Sequence, residues 1–169
     1  IMNPFDMQAL ETALIMKDKF GGKVTCISMG LPQATDVLKE VLAMGADDAA
    51  LISDRALAGS DTLATSLTLA AAIKKIGEYD LILCGKQAVD GDTAQVGPEV
   101  SEALDIPCVC NVIKIDKVEA DAIYVDMEMA QDIEQLKVSF PCLLTVQKDI
   151  VQPRLPSYKL KKETEKREI

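Results

Sequence analysis

Short apolar runs alternate with amphipathic segments through the first half of the chain, and this alternation most constrains the fold. The apolar runs at 23–28, 48–53 and 80–84 have the length of strands that are buried on both faces. Between them apolar residues recur at helical spacing, and Gly45 and Gly77 end two of these periodic stretches. Because strands that alternate with helices pair in parallel, the pattern predicts a parallel sheet with helices on both faces.

The second half of the chain has a different pattern of apolar and polar residues. Residues 109–115, 122–129, 133–140 and 143–146 have the composition of strands separated by polar turns, and no helical period competes with this interpretation. They predict antiparallel strands that form an appendage or are added to the edge of the sheet. At the N-terminus, Asn3-Pro4 predicts an N-cap followed by proline at the first position of a helix.

Charge and proline content divide the chain near residue 150. Residues 1–150 form the predicted α/β domain, whereas 151–169 contain Pro153, Pro156 and a Lys/Glu run, which predict an extended arm. The chain has a net charge of −9, but residues 154–169 carry six basic and three acidic side chains. The acidic body argues against nucleic acid as a partner, because phosphate binding needs clustered Lys and Arg.

Several residue types are informative by their absence or number. The chain has no histidine, which excludes histidine-containing metal sites and Ser-His-Asp triads within it. Five cysteines without a regular spacing indicate reduced thiols and a cytoplasmic location. Cys108 and Cys110 form a C-x-C that would hold a soft metal only with further ligands, and small apolar residues on a strand are the simpler interpretation. No window is apolar enough to predict a membrane span.

The connection between 85 and 97 is the longest that follows an apolar strand, and it is the best candidate for a binding loop. Ligands of open α/β sheets bind beyond the carboxyl ends of the strands, where 28–32 and 53–61 would also lie. The N–H groups of 93–97 could face a phosphate at the start of the next helix, although an ordinary surface loop fits equally well. Asp90 and Asp92 would more naturally take ribose hydroxyls, metal, water or backbone N–H groups.

Four strings in order carry a resemblance to a known family. They are M-N-P-F at 2–5, A-M-G-A-D at 43–47, L-C-G-K-Q-A-V-D at 83–90 and Q-P-R at 152–154. Together they resemble the beta subunit of electron transfer flavoproteins over essentially the whole chain. The family's beta subunit has a first strand and loop upstream and a further segment downstream, so we expect this chain, which begins at Ile1, to continue on both sides.

The resemblance implies a heterodimer with an alpha subunit whose FAD moves electrons. The beta subunit of this family has a Rossmann-like fold, of the adenine nucleotide alpha hydrolase-like kind, and holds either AMP or a second FAD. The segment at Asn3 and the turn at Met29 would frame the adenine and the ribose, and residues 93–97 would hold the phosphate. The positions that match the family's nucleotide site are Asn3, Pro4, Phe5, Asp6, Met29, Lys86, Gln87, Ala88, Val89, Asp90, Gly91, Asp92, Thr93, Ala94, Gln95, Val96 and Gly97.

The loop at 90–98 reads D-G-D-T-A-Q-V-G-P, which resembles the anaerobic, electron-bifurcating branch of the family rather than the AMP-holding branch. In that branch the beta-subunit flavin takes a hydride from NADH. One electron then goes to ferredoxin or flavodoxin, and the other goes through the alpha-subunit FAD to a dehydrogenase. The resemblance therefore favours FAD over AMP, and it implies NADH oxidation only in the assembled heterodimer.

The C-terminal segment at 151–169 matches the part of the family that docks on acyl-CoA dehydrogenases or related enzymes. Arg154, Tyr158 and Lys159 are the candidate docking residues. The family's R-Y-P-S-L has become R-L-P-S-Y here, and Glu163 and Glu165 interrupt a stretch that is almost purely Lys in the family. Tyr158 would be an aromatic anchor in a partner pocket, and a disordered basic terminus is the alternative.

Two other classes use a nucleotide-binding α/β fold. An ATP-hydrolysing or ATP-pyrophosphatase-like enzyme would need a Ser/Gly-rich loop after its first strand, and the sequence has none there. A stress-type nucleotide-binding module, which pairs with itself, would leave the long edge strands and the basic arm without a role.

Overall fold

The computed structural model describes all residues except Lys166 and Glu168, so these two positions of the predicted arm lie outside the described residues. The first six elements alternate helix and strand, as the periodicity predicts. In chain order the elements are α1 (Pro4–Phe20), β1 (Thr25–Met29), α2 (Thr35–Met44), β2 (Asp48–Ile52), α3 (Thr62–Ile76), β3 (Leu81–Gly85), α4 (Val96–Leu104), β4 (Cys108–Val118), β5 (Ala122–Glu128), β6 (Ile133–Ser139), β7 (Cys142–Val146) and α5 (Tyr158–Thr164).

Parallel pairing joins the three strands predicted from the apolar runs to one another or to strands from the second half of the chain. β1 pairs with β2, and β3 and β4 each pair in parallel with β7. β5 and β6 continue the larger sheet as antiparallel hairpins, which gives the order β3-β7-β4-β5-β6. The parallel arrangement is confirmed, and so are antiparallel strands added at the edge, in β5 and β6. The prediction is wrong for 143–146, which form β7 in parallel pairing between β3 and β4, and for the pairing of β4 with it, because strand composition does not show which neighbours a strand will have. Among the described residues, no ladder hydrogen bonds join the β1–β2 pair to the five-stranded sheet.

Helices cover both faces of the parallel strands, as predicted. On one face α1 and α2 pack on β1 and β2 around Leu14, which is 1% exposed. On the other face α3 and α4 pack on β3 and β7 around Ile73. Cys26 and Ile27 are neighbours on β1 and contact opposite clusters, because successive side chains of a strand point to opposite faces.

Two helix starts test the capping predictions. Asp61 precedes α3 and its Oδ1 accepts a hydrogen bond from the N–H of Ala64 at 2.8 Å, as expected of an N-cap. Asn3 occupies the N-cap position of α1 with Pro4 after it, but its side chain makes no capping hydrogen bond. The predicted N-cap position and the proline after it are confirmed, and the side chain of Asn3 turns to the loop after β3, where Nδ2 donates to the carbonyl of Gln87.

The A-M-G-A-D string forms the junction between α2 and β2. Gly45 ends α2 with φ of 124°, in the left-handed region that favours glycine. Asp47 then accepts the N–H of Val24 at 2.8 Å and pairs with Lys17 at 2.7 Å. Burial raises the pKa of Asp47, but the contacts with Lys17 and Val24 outweigh burial and hold the pKa below its ordinary value. The string therefore ties α1 and β1 to β2.

The C-terminal segment is extended only in its first part, which corrects the prediction of an arm extended throughout. Residues 152–157 have no regular secondary structure, and Tyr158–Thr164 form the seven-residue helix α5. Ser157 caps α5 by accepting the N–H of Leu160 at 3.5 Å, and donates its own N–H to the carbonyl of Ala43 at 2.9 Å. α5 packs against α2. A helix this short shows too few turns for its periodicity to be recognised in the sequence.

A buried carboxylate on α1 anchors this segment to the body. Glu11 is 4% exposed, and both its oxygens accept hydrogen bonds from Nε of Arg154, at 2.9 and 3.0 Å. The backbone N–H of Arg154 donates to Glu11 at 3.0 Å, and its Nη2 pairs with Asp18 at 2.8 Å. Nearby, Gln8 accepts the N–H of Val151 at 3.2 Å. Arg154 was predicted to meet a partner, whereas the structure uses its guanidinium to hold the segment on α1.

Candidate nucleotide-binding site

The predicted site lies where the N-terminus of α1 meets the carboxyl end of β3. Gly85, the last residue of β3, donates its N–H to Oδ1 of Asp6 at 2.8 Å. A Cβ at this glycine would lie 2.5 Å from Cβ of Phe5 and 2.7 Å from its carbonyl carbon. Since no side chain fits there, glycine at 85 permits this close approach. The structure therefore brings Phe5 and Asp6 directly beside the loop that follows β3.

Asn3 links the two segments and keeps one polar atom unused. Its Nδ2 donates to the carbonyl of Gln87 and to Oδ2 of Asp6, both at 2.8 Å. Its Oδ1 is buried, and no group in the described part of the chain donates to it. A buried acceptor without a partner is costly, so a ligand N–H or O–H at this position would stabilise the site.

The loop between β3 and α4 is held by its own polar groups. Gln87 donates through its side chain to Asp92, and Asp90 accepts the N–H of Gly91 at 2.8 Å. The backbone N–H of Asp92 donates to the carbonyl of Ala88 at 2.8 Å. Asp90 therefore accepts a backbone N–H, one of the predicted partners, and Asp92 accepts the side-chain amide of Gln87. These contacts hold the loop through the protein's own groups.

The next residues of this loop turn their backbone into the start of α4. Asp92 and Ala94 have φ of 53° and 54°, a left-handed conformation that is uncommon for residues with a Cβ. α4 begins at Val96, and Gln95 at its N-cap position makes no side-chain capping bond. The N–H groups of Val96 and Gly97 therefore have no intrahelical acceptor, and the positive end of the helix dipole lies there too. This combination is a ready anion site.

Gly97 also sets the distance between α4 and the sheet. A Cβ at Gly97 would lie 2.7 Å from Cγ2 of Thr145 and 3.0 Å from Sγ of Cys84. The sequence predicted a ligand-facing role for this glycine but not its packing on β7 and β3. In the same turn, Oε1 of Glu99 accepts the hydroxyl of Thr62 at 3.1 Å and ties α4 to α3. Neither Glu99 nor Gly85 was among the predicted site residues. A glycine directly after an apolar strand does indicate that another backbone approaches closely.

Other predicted site residues lie at the same edge without joining this network. Met29 ends β1, and no hydrogen bond among the described residues connects it to Asn3 or to the loop. Lys86 donates its backbone N–H to the carbonyl of Val146 at 2.9 Å, which extends the β3–β7 pairing by one residue. Val89 is 63% exposed at the tip of the loop. Pro4 is the first residue of α1.

Three further observations concern the rest of the described structure. A concavity lined by Glu78, Tyr79, Asp80 and Pro141 lies at the amino end of β3, opposite the candidate site. Within the described residues, no group of three or more metal-ligating side chains is positioned to hold an ion. In the same part of the chain, no helix is both long enough and apolar enough to cross a membrane.

Comparison with known proteins decides the family. The sequence profile described as the electron transfer flavoprotein domain matches residues 1–169. The chain belongs to the electron transfer flavoprotein family. The resemblance that the four sequence strings carry is therefore confirmed, and so is the α/β fold expected from it.

The relatives that the chain matches include electron transfer flavoprotein beta subunits, subunits of reductase complexes and proteins named FixA. The chain is 51% identical over 159 residues to the electron transfer flavoprotein subunit beta of Thermoanaerobacterium thermosaccharolyticum, covering 94% of this chain and 60% of that protein. It is 50% identical over 176 residues to the subunit beta of Megasphaera elsdenii, covering 100% and 65%. It is also 50% identical over 158 residues to the caffeyl-CoA reductase-Etf complex subunit CarD of Acetobacterium woodii, covering 93% and 60%. The chain thus spans less than two thirds of the length of these relatives.

Proposed function

We propose that the chain is the nucleotide-holding portion of an electron transfer flavoprotein beta subunit, which pairs with an alpha subunit and holds FAD. The open N-terminus of α4 is the observation that carries this proposal. It presents uncapped N–H groups at the carboxyl edge of the sheet, beside a loop that is held by its own hydrogen bonds. Such a position suits the phosphates of a nucleotide.

The chain's own residues would bind and orient the cofactor. The N–H groups of Thr93 to Gly97 would donate to phosphate oxygens. The buried Oδ1 of Asn3 would accept an N–H or O–H from the adenosine part of the nucleotide. It is one of three buried side-chain acceptors without a donor among the described residues, and the others are Oε2 of Glu99 and Oδ1 of Asp126. The acidic side chains of Asp90 and Asp92 already accept protein N–H groups, which reduces their repulsion of a phosphate.

The choice of FAD over AMP rests on the loop sequence and on the relatives. D-G-D-T-A-Q-V-G-P resembles the bifurcating branch, and relatives include subunits named for caffeyl-CoA reductase and acryloyl-CoA reductase. When bound, the flavin would supply hydride acceptance from NADH and single-electron transfer, and the protein would supply binding and orientation. The corresponding partners are ferredoxin or flavodoxin and an acyl-CoA or related dehydrogenase, in the cytoplasm.

Counting cofactors tests this proposal. The full-length beta subunit is co-expressed with its alpha subunit, and flavin and AMP are measured per purified heterodimer. Two FAD molecules per heterodimer, with NADH-dependent reduction of both ferredoxin and a dehydrogenase acceptor, are the expected result. One FAD with one AMP would leave the beta-subunit assignment intact but reject bifurcation. A colourless homodimer that hydrolyses ATP would reject the electron-transfer role.

The C-terminal segment is the part that we propose meets the dehydrogenase. Tyr158 is 74% exposed and Leu155 is 89% exposed, although both side chains are largely apolar. Lys162 lies 4.8 Å from the ring centroid of Tyr158 and holds the ring by a cation–π contact. Lys159 is exposed beside them. An aromatic side chain held in this way loses little entropy on docking.

A further inference from the structure

Two cysteines on β4 lie close together and have no role in the proposed nucleotide contacts. The Sγ atoms of Cys108 and Cys110 are 3.8 Å apart. Both side chains are partly exposed, whereas Cys142 on the neighbouring strand is fully buried. A third residue that could complete a metal site with them is absent from the described residues. Cys108 also packs against the apolar cluster around Ile73, as small apolar residues on a strand do, and the short distance between the two sulfurs is an additional feature.

An irregularity in β4 brings the two sulfurs together. In a regular strand, side chains two positions apart are separated by roughly 6.6 Å along the strand. Here the pairing of β4 with β7 shifts register between Val109 and Val112, which marks a bulge. Inside the bulge Asn111 has φ of 55°, and its N–H donates to Oγ1 of Thr145 at 3.1 Å. The bulge turns Cys110 out of line with the strand and toward Cys108.

Neighbouring donors make the two thiols unequal. The thiol of Cys108 and the hydroxyl of Thr145 donate to the sulfur of Cys110 and lower its pKa to about 6, although burial opposes this. The same contact with Cys110, followed by burial, raises the pKa of Cys108, which Ser101 on α4 only partly offsets. Cys84 on β3 faces the pair, and burial and then Asp6 raise its pKa to about 12. The contact therefore favours the thiolate on Cys110 and the protonated thiol on Cys108.

We propose that Cys108 and Cys110 form a thiol–disulfide exchange site whose substrates are low-molecular-weight disulfides. The thiolate of Cys110 attacks one sulfur of the small disulfide, and the S–S bond breaks to release one small thiolate. The sulfur of Cys108 then attacks the sulfur of Cys110 in the mixed disulfide, and its proton goes to the small thiolate that leaves. The protein loses two electrons and forms the Cys108–Cys110 bond, and the small disulfide is reduced to one thiol and one thiolate, which takes a proton from water.

The geometry is compatible with this bond. The sulfurs must approach from 3.8 Å to about 2.05 Å, the length of a disulfide. The exchange does not need a bound nucleotide, so a test of the exchange does not depend on whether the proposed cofactor is present.

Differential labelling of the full-length heterodimer tests the proposal. The protein is equilibrated with oxidised and reduced glutathione at several ratios, blocked with N-ethylmaleimide and analysed by mass spectrometry. The peptide with both cysteines should lose two hydrogens and take up no label as the oxidised fraction rises. Cys108→Ser should trap one glutathione on Cys110, and Cys110→Ser should give neither product. Cys142→Ser is a matched control that should leave the exchange unchanged.

Labelling rates in the unmodified protein give a second readout that needs no substitution. Iodoacetamide at pH 7 should label Cys110 about a hundredfold faster than Cys26, whose pKa is raised to about 12 by burial and then by Asp47. The rate at Cys110 should rise with pH around a midpoint of about 6. A pair that stays reduced in excess oxidised glutathione, or labelling of Cys26 as fast as Cys110, would overturn the proposal.

Discussion

Gly97 lies in the first turn of α4, directly over Thr145 on β7 and Cys84 on β3. The helix can rest this close to the strands because the residue has no Cβ, and the close contact fixes where the uncapped N–H groups of α4 lie. Gly91 belongs to the same loop but faces open space, where an added Cβ would meet no atom within 4 Å. The two glycines therefore provide a matched pair for testing the site.

We expect Gly97→Ala to impair nucleotide binding and Gly91→Ala to leave it unchanged. The new methyl group at 97 would push α4 away from β7, which costs about 1–3 kcal/mol of unfolding free energy as an overpacked contact does. It would also displace the amides that face the phosphate. Nucleotide content of the purified heterodimer and urea denaturation measure the two effects. Equal nucleotide content in both variants would contradict the role assigned to the start of α4.

At the scale of elements, the contact between the C-terminal segment and α1 depends on one buried ion pair. Glu11 is almost fully buried and its charge is balanced by Arg154, which is 34% exposed along its side chain. Removing only one member of such a pair leaves a buried charge without a partner, which destabilises more than the pair itself stabilises. The pair is therefore a sensitive test of how the segment is anchored.

Arg154→Ala should lower the free energy of unfolding by about 2–3 kcal/mol, below the range for a fully buried pair because Arg154 is partly exposed. Arg154→Lys should cost less, since it keeps the charge but not the two-pronged geometry. Adding Glu11→Gln to Arg154→Ala should recover part of the loss, because the unpaired charge is removed. Urea denaturation measures all three, with the exposed Lys159→Ala as control. An Arg154→Ala variant as stable as Lys159→Ala would refute the anchor.

The sequence was a good guide to elements whose pattern is local. In the helices α1, α2 and α3, apolar residues repeat over several turns, and the strands between them are short apolar runs. Glycines mark several of the boundaries, and all of these features depend only on neighbouring residues. The loop at 86–97 was found as the candidate site for the same reason, since its length and glycines are visible in one dimension. The antiparallel strands β5 and β6 followed from composition and turn residues.

Contacts between distant residues could not be predicted in this way. Asn3 has the local pattern of an N-cap, but 84 positions separate it from Gln87, whose carbonyl takes its amide instead. The pairing of Arg154 with Glu11 and the bulge that joins Cys108 to Cys110 likewise depend on which surfaces meet after folding. Tertiary contacts override local preference at these positions, and most of the candidate site's polar network is of this kind.

At the scale of the whole molecule, the division into an acidic body and a basic segment remains, but the segment does not project freely. Its arginines pair with acidic residues of the body, Arg154 with Glu11 and Arg167 with Asp48. These pairs use positive charge to fix the segment, and they leave Leu155 and Tyr158 as its exposed apolar side chains. A partner is therefore expected to meet an ordered apolar surface with lysines around it.

Tyr158→Ala should slow electron transfer to the dehydrogenase by about tenfold or more, which corresponds to a loss of roughly 1.4 kcal/mol or more at a docking anchor. Because the ring is 74% exposed, thermal stability and cofactor content should not change. Leu63→Ala is the matched control, since Leu63 is 58% exposed on α3, a different element of the fold. Stopped-flow transfer between the full-length heterodimer and its dehydrogenase measures the effect. A Tyr158→Ala variant that transfers electrons at the normal rate would remove Tyr158 from the interface, whereas equal slowing by both variants would point to a surface wider than this segment.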